Sequence, residues 1–372
     1  MFENKISALL AASTAKTTDV SWQVSADGYD ALDWTIDDTQ PLSWFYSSRA
    51  LQLRDTYDWI TLSYSGGHDS SNILRTFITN RIHLDEIMVR FPISAAESHG
   101  IQPNHNDLRS SNLISEWYLN VKPDLQKLSQ EHPEIKITVI DTSAHITLNY
   151  NDLCISDSQG NLNPGYLNRW SLITEKTERS SEKGKKACLL TGLDKPQIAV
   201  KDQAVYCYFL DSLVISNTAK TLHRDITPEG FYWTNDFPQL TKAQARKIFH
   251  WLKDKPSRSE MVRWNQPYDP NIKNKWNRAI NPILYPDCDV YRFQTNKCTA
   301  GLEDLLNPHV EFLDDDWGWL IGGKNHNYLT QSWRYHTHSL INSLSDNLLA
   351  RHNDKIQGLI NFPSKFYFLG NI

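Results

Sequence analysis

The stretch Ser65-Gly66-Gly67-His68-Asp69-Ser70-Ser71 decides the fold of this 372-residue chain. An apolar run at residues 59–64 comes directly before it and predicts a buried strand. The apolar residues of the segment 71–78 fall on one helical face, so a helix is predicted to follow. A strand, a glycine loop and a helix N-terminus in this order are typical of a loop that binds a phosphate group.

The residue types in this loop suit an oxyanion. Gly66 and Gly67 let the backbone approach a ligand closely, and the free amides and dipole of a helix start favour negative charge. Asp69 would repel a phosphate unless a metal ion lay between them, so it indicates a bound cation. Further hydroxyl donors come from Ser65, Ser70 and Ser71. The alternative interpretation is a glycine-rich turn capped by Ser and Asp.

The apolar pattern predicts four strands, at residues 59–64, 86–91, 135–141 and 187–191. A helical region is predicted at about 106–130. Strands that alternate with helices predict an α/β fold, a parallel sheet with helices on both faces. Ligands bind outside the carboxyl ends of such strands. We therefore expect the loop 65–71, the segment after Phe91, Asp141 and the turn at 191–196 to converge.

Three regions are predicted, namely an N-terminal extension at 1–57, an α/β domain at 58–200 and a mainly helical region at 201–372. The extension is interpreted as strand-rich or irregular and packed on the main domain. In the last region Thr241 is the predicted N-cap of a helix that ends near Leu252, and the segment 338–352 is also helix-like. Proline-rich connections are expected around 256–286.

Composition limits the class of protein. A net charge of −5 gives no overall basic surface for nucleic acid, although a local basic patch stays open. The sequence has no run of about eighteen apolar residues and no signal peptide at its start, so we expect a cytoplasmic protein without a membrane partner. Five cysteines without a CxxC pair argue against a disulfide scaffold and against a zinc or iron–sulfur site.

A second group of functional residue types, Thr191-Gly192-Leu193-Asp194-Lys195-Pro196, directly follows the fourth predicted strand. The Thr-Gly turn can bring its backbone near a ligand. We expect Asp194 to share a magnesium ion with Asp69, and Lys195 to neutralise phosphate charge as a compact cation. A plain turn that ends at a proline is the alternative interpretation.

The loop 65–71 resembles the SGGxDS pyrophosphate loop of the N-type ATP pyrophosphatases at every fixed position. The GxxxxGK[ST] pattern of a Walker A loop does not occur in the sequence. Within the superfamily, SGGHDSS is similar to the SGGLDSS of asparagine synthetases and β-lactam synthetases, whose second motif begins with Ser/Thr-Gly and contains a magnesium-binding Asp. The resemblance covers about residues 58–200 and implies an adenine nucleotide alpha hydrolase-like fold.

The resemblance implies that ATP and Mg²⁺ bind here and that a small-molecule acceptor, usually a carboxylate, is adenylated with release of pyrophosphate. Ammonia or an amine would then displace AMP. Asp69 and Asp194 would be metal ligands and, with Lys195, the catalytic residues. Adenine would contact the backbone near Tyr64 and residues 88–90. The nucleotide-binding residues would be Ser65, Gly66, Gly67, Asp69, Ser70, Ser71, Thr191 and Gly192.

The chain also departs from the asparagine synthetases. Phe2 stands near the start, where that family has a catalytic Cys, and residues 1–57 are too short for a glutaminase domain. We therefore expect a separate ammonia or amine donor in place of glutamine. The second motif continues as DKPQ, without the family's acidic Asp-Glu run. Lys324 and Lys365 are the candidates for a lysine that the family carries late in its chain.

Two further functions stay open from the residues alone. One is a superfamily enzyme that modifies a nucleobase or nucleotide, in which the missing cysteine pairs and the acidic charge balance argue against thiolation. The other is a non-catalytic nucleotide-binding protein, against which the presence of both Asp69 and Asp194 argues.

Overall fold

The computed structural model describes residues 27–91, 93–94, 116–141, 184–192, 195–209, 226–263, 270–292 and 364–372. The α-helices in these ranges are α1 (Asp27–Asp30), α2 (Leu42–Thr56), α3 (His68–Thr79), α4 (Lys122–Glu131), α5 (Pro238–Asp254) and α6 (Pro270–Leu284). A π-helical turn, Trp117–Val121, runs into α4, and a 3-10 helix, Pro256–Val262, follows α5. Of the described helices, none is long and apolar enough to cross a membrane.

Two sheets organise the described residues. The strands are β1 (Trp59–Ser63), β2 (Glu86–Phe91), β3 (Lys136–Asp141), β4 (Ala187–Thr191), β5 (Gln197–Lys201), β6 (Ala204–Tyr208), β7 (Ile226–Gly230) and β8 (Tyr367–Asn371). The main sheet is parallel throughout, in the order β3-β2-β1-β4-β7. A smaller antiparallel sheet has the order β5-β6-β8. The predicted α/β class, with its parallel sheet, is confirmed.

The central strands are buried along nearly their whole length, because parallel strands are covered on both faces. This is why their sequences are short apolar runs. One face, which we call the α3 face, packs its side chains into a core shared with α3. That core includes Ile60, Leu62, Ile87, Val89, Ile73 and Phe77. On the opposite face a smaller cluster contains Met88, Ile140, Ala187 and Leu189. Successive residues of each strand alternate between these faces.

The order of the strands reverses next to β1. From β1 the chain builds outward through β2 to β3, and it then returns to the other side of β1 with β4 and β7. In doubly wound sheets the crevice outside the carboxyl ends of the strands at such a reversal is where ligands bind. The loop after β1 and the turn after β4 both lie at this position.

The N-terminal extension differs from its prediction where the structure describes it. A strand-rich or irregular segment was expected, and the residues 42–56 form helix α2 instead. Its buried residues, among them Phe45, Tyr46 and Leu53, belong to the main core. The helix contacts α3, α5 and β1, so it packs on the main domain as expected.

Beyond residue 200 the structure contains more strand than the sequence pattern suggested. β7 completes the main sheet, and β6 and β8 belong to the second one. The segment expected to be proline-rich connections contains the 3-10 helix and α6. Helix α5 begins earlier than predicted, with Phe237 at its N-cap position. Thr241 lies buried inside α5 and donates to the Tyr232 carbonyl at 2.6 Å. The predicted helix at 338–352 lies outside the described residues.

Candidate functional site

The two predicted motifs meet at the reversal of strand order. The Gly192 backbone packs so closely against α3 that an added Cβ would lie 3.3 Å from both the Cβ and the backbone carbon of Asp69. The Thr191 carbonyl accepts a 3.0 Å hydrogen bond from the Phe231 amide, which ties the turn to the end of β7. The structure therefore confirms that the first loop and the Thr-Gly turn converge.

Gly66 is required at its position by both conformation and space. Its φ of +77° lies in the left-handed region, which residues with a side chain rarely adopt. A Cβ there would lie 2.5 Å from Val121 Cγ2. The π-helical turn that carries Val121 thus packs directly on the loop, and only glycine fits between them.

The three serines of the loop hold one another and the backbone. Ser70 Oγ donates to the Gly67 carbonyl at 3.2 Å and lies 3.3 Å from Ser65 Oγ. The Gly67 amide donates to Ser65 Oγ at 3.4 Å. Ser71 Oγ lies 3.2 Å from the hydroxyl of Tyr64. The hydroxyl groups predicted to be ligand donors are therefore gathered within one turn of α3.

Asp69 and Lys195, both predicted site residues, form an ion pair with 3.0 Å between Lys195 Nζ and Asp69 Oδ1. Lys195 Nζ also donates to Asn281 Oδ1 at 2.9 Å. The Tyr285 hydroxyl donates to Asp69 Oδ1 at 2.5 Å. The Lys195 side chain is 13% exposed and that of Asp69 is 37% exposed, so the acid faces the crevice more openly than its partner does.

Sequence reasoning missed the residues that position this pair. Tyr285 and Asn281 come from α6 and its end, and both are almost fully buried. Burial and the neighbouring Asp69 charge raise the pKa of Tyr285, so its phenol stays protonated and donates. Tyr232 donates to the Asp69 carbonyl at 2.8 Å and accepts from Asn72 Nδ2 at 3.0 Å. These contacts join segments far apart in the sequence.

Arg292 was also missed, and it secures the other side of the loop. Its Nε donates to the Gly66 carbonyl at 2.6 Å, and its Nη2 donates to the Tyr64 hydroxyl at 2.9 Å. The same Nη2 pairs with the carboxylate of Asp124 on α4. Asn120 Nδ2 adds a donor 3.3 Å from the Gly66 carbonyl. Because Gly66 O is held in this way, the loop is fixed before any ligand arrives.

His68, the variable position of the motif, contacts a cysteine. Its Nδ1 lies 3.3 Å from Cys288 Sγ. Burial, together with the nearby positive charge of Lys195, lowers the pKa of His68 to about 4. Burial raises the pKa of Cys288. At neutral pH a protonated thiol therefore lies against a neutral imidazole.

Asp69 can contribute one ligand to a metal ion. Among the described residues both of its side-chain contacts fall on Oδ1, which leaves Oδ2 for a cation. Magnesium in phosphate sites is held by one or two carboxylates together with phosphate oxygens. The described residues contain no group of three or more side chains able to hold a metal ion. Asp194, the second predicted ligand, lies outside the described residues. The donor set that is described fits magnesium only in company with a phosphate ligand.

The remaining predicted residues lie elsewhere or outside the description. Asp141 ends β3, at the edge of the main sheet and two strands from β1, and it accepts from the Ser94 amide at 3.0 Å. Lys365 pairs with Asp30 at 2.7 Å and lies over the ring of Tyr367 in β8, so it belongs to the second sheet. Lys324 is outside the described residues.

No known protein-family model matches this sequence, and no curated protein matches it significantly. The function of the chain must therefore be inferred from its own residues.

Proposed function

We propose that the chain is an ATP-dependent, AMP-forming carbon–nitrogen ligase of the asparagine synthetase type, with the adenine nucleotide alpha hydrolase-like fold. The observation that carries the proposal is the position of the SGGHDSS loop. It joins β1 to α3 at the reversal of strand order, with Lys195 from the neighbouring turn 3.0 Å from Asp69. A loop at this position is suited to bind the phosphates of a nucleotide.

Pyrophosphate is the group that the loop would hold. The free amides at the start of α3 and its dipole favour an anion, and the positive φ of Gly66 turns the backbone around it. The hydroxyls of Ser65, Ser70 and Ser71 would add donors, that of Ser70 by turning from the Gly67 carbonyl to the ligand. Lys195 supplies a compact positive charge at the same edge of the sheet.

The proposed reaction has two steps. A carboxylate oxygen of a small-molecule acceptor attacks the α-phosphorus of ATP, and the bond to the bridging oxygen breaks, so that pyrophosphate leaves with the electron pair. The nitrogen of ammonia or a primary amine then attacks the acyl carbon of the adenylate. AMP leaves with the second electron pair, and the nitrogen loses a proton to give the amide.

The chain's own residues contribute mainly charge and position. Asp69 and Asp194 would hold Mg²⁺, which would neutralise the phosphate charge when bound. Asp69, when it holds a cation, would attract Lys195 less strongly, and the ammonium of Lys195 would then be available to the phosphates. Electrostatic stabilisation of this kind is effective because the groups are already in place. No side-chain nucleophile is needed.

Product analysis tests the proposal. The full chain is incubated with ATP, Mg²⁺, a pool of small carboxylates and ammonium or simple amines, and the nucleotides are separated by anion-exchange chromatography. We expect AMP and pyrophosphate in equal amounts, and neither product with the Asp69→Asn variant. ADP and phosphate as the main products would contradict the proposal, as would undetectable binding of ATP at millimolar concentration by the folded protein.

A further inference from the structure

Arg90 is the second-last residue of β2 and lies at the same carboxyl edge as the loop. Its Nη2 donates to Ser63 Oγ, at the end of β1, across 3.4 Å. Arg90 and Met88 are two residues apart on one strand, so both point to the face opposite α3. Thr191 ends β4 on that face by the same alternation from Leu189. Three polar side chains, from Ser63, Arg90 and Thr191, therefore lie at or next to the carboxyl ends of three neighbouring strands, on the side of the sheet away from α3.

Arg90 has no acidic partner among the described residues; Arg75 and Arg258 share this property, but they donate to backbone carbonyls at 2.8 and 2.6 Å. Within the described part of the chain the hydrogen-bond partner of Arg90 is the neutral Ser63 hydroxyl. Three more deeply buried or site arginines are paired with carboxylates, Arg49 with Glu229, Arg246 with Asp37 and Arg292 with Asp124. Burial lowers the pKa of Arg90 to about 10, so the guanidinium is still charged at neutral pH. A partly buried charge without an acidic partner is unfavourable, and a ligand that supplies the opposite charge would explain it.

The position of Arg90 separates it from the proposed pyrophosphate site. The loop leads into α3, which packs on one face of β1, whereas Arg90 lies on the other face of β1 and β2. Adjacent strands are about 4.8 Å apart. A ligand that starts at the loop and crosses the end of β1 therefore reaches Arg90 within the length of one or two bonded groups.

We propose that Arg90 and Ser63 bind an oxyanion of the ligand other than the pyrophosphate, either the α-phosphate of the AMP moiety or a carboxylate of the acceptor. This inference rests on the proposed function, because it assumes that pyrophosphate occupies the loop. The guanidinium fork suits a bidentate, charge-assisted pair with either group, and the Ser63 hydroxyl adds a third donor.

The test compares the wild-type chain with Arg90→Met, which keeps the length but removes the charge, and with Arg90→Lys, which keeps the charge but removes the fork. Calorimetry measures the binding of magnesium pyrophosphate, of AMP, and of acetate, aspartate and glutamate. We expect Arg90→Met to lower the affinity for AMP or for at least one carboxylate by about tenfold or more. Arg90→Lys should lower the same affinity by a smaller factor. Loss of AMP binding identifies the α-phosphate as the source, and loss of carboxylate binding identifies the acceptor. Pyrophosphate affinity should change by less than about twofold.

Stability distinguishes a binding role from a structural one. Because Arg90→Met removes an unpaired buried charge, its melting temperature without ligand should equal or exceed that of the wild type. If Arg90→Met fails to fold, Ser63→Ala serves as the second variant. It should weaken the binding of the same ligand, though by a smaller factor. Unchanged binding of AMP and of all three carboxylates overturns the inference, and so does an equal loss of pyrophosphate binding. If the wild-type chain binds no pyrophosphate, the proposed function is wrong. The role of Arg90 is then still tested by comparing the AMP and carboxylate affinities of the wild type and the variants.

Discussion

Lys195 Nζ lies 3.0 Å from Asp69 Oδ1, and this ion pair joins the turn after β4 to the first turn of α3. One positive and one negative charge therefore lie at the point where the strand order reverses. Tyr285 and Asn281 hold its two members from α6 and its end. In the proposed function a phosphate ligand would pair with the cation and a metal ion with the carboxylate, so the ion pair would separate when both bind.

Asp69→Asn should abolish turnover while the fold stays intact. The amide cannot bind a cation as the carboxylate does, and the loss should lower kcat by at least about a hundredfold. Asn has nearly the shape of Asp, and the Asp69 backbone contact with Tyr232 is unaffected. Circular dichroism and pyrophosphate release measure the two properties. A variant with more than about a tenth of the wild-type rate would remove Asp69 from the mechanism.

Asp194→Asn should have the same effect on turnover, because the sequence resemblance implies that Asp194 is the second metal ligand of the proposed site. The magnesium dependence of the residual activity should shift to higher concentration. If Asp194→Asn kept near-normal activity and magnesium dependence, the segment 191–196 would act only as the turn that carries Lys195.

Gly66→Ala should destabilise the protein and weaken pyrophosphate binding. The new methyl would meet Val121 Cγ2 at 2.5 Å, and φ at this position is +77°. Together the clash and the strain should lower the free energy of unfolding by about 2–4 kcal/mol. Chemical denaturation measures this change, and calorimetry measures the affinity for magnesium pyrophosphate.

Gly184→Ala is the matched control for that variant. Gly184 has a φ of +70°, and nothing lies within 4 Å of its added Cβ. This substitution should lower the free energy of unfolding only by the backbone strain, about 1 kcal/mol, and should leave ligand binding unchanged. Equal effects of the two substitutions would mean that the contact between the loop and Val121 is unimportant.

Local sequence pattern was sufficient for the strands that position the site. β2 and β4 occupy the predicted residues, and β1 and β3 differ by one residue at one end, because short apolar runs bounded by polar residues are distinctive. The helix predicted at 71–78 begins earlier, at His68, since the loop residues themselves form its first turn. The convergence of the two motifs followed from the parallel topology alone.

The missed parts share a physical reason. β7 has the sequence ITPEG, whose Pro and Gly resemble a turn, yet it is a sheet edge where a proline is tolerated. Its Glu229 is buried against Arg49, which lies on α2. Tyr285 and Arg292 reach the loop from more than two hundred residues away, and no local periodicity encodes such a contact. Positioning residues of this kind become visible only when the chain is folded.

Tyr285→Phe should lower turnover with little loss of stability. The substitution removes the hydroxyl that holds Asp69 Oδ1 at 2.5 Å, so the carboxylate becomes less well oriented. We expect kcat to fall by about tenfold and the free energy of unfolding by about 1 kcal/mol. Tyr46→Phe is a matched control, because the buried Tyr46 hydroxyl donates to the Leu284 carbonyl and not to Asp69. A similar fall in kcat for both variants would show that general packing, and not the contact with Asp69, is responsible.

His68 should make the stability of the protein sensitive to acid. Its pKa is about 4 in the folded chain, chiefly because of burial, whereas an unfolded histidine titrates near about 6.5. Between these values the unfolded chain binds more protons than the folded chain, so the free energy of unfolding falls as the pH falls from about 6.5 to about 4. Above about pH 6.5 the contribution of neutral His68 to the free energy of unfolding is fully present, and it is at most about 3 kcal/mol. His68→Gln keeps a polar side chain without a titrating group and should reduce the loss of melting temperature between pH 7 and pH 4.5. Proton NMR of the histidine ring measures the pKa directly. A ring that titrates near its ordinary value, or a His68→Gln variant as acid-sensitive as the wild type, would contradict a neutral imidazole next to the Cys288 thiol at the loop.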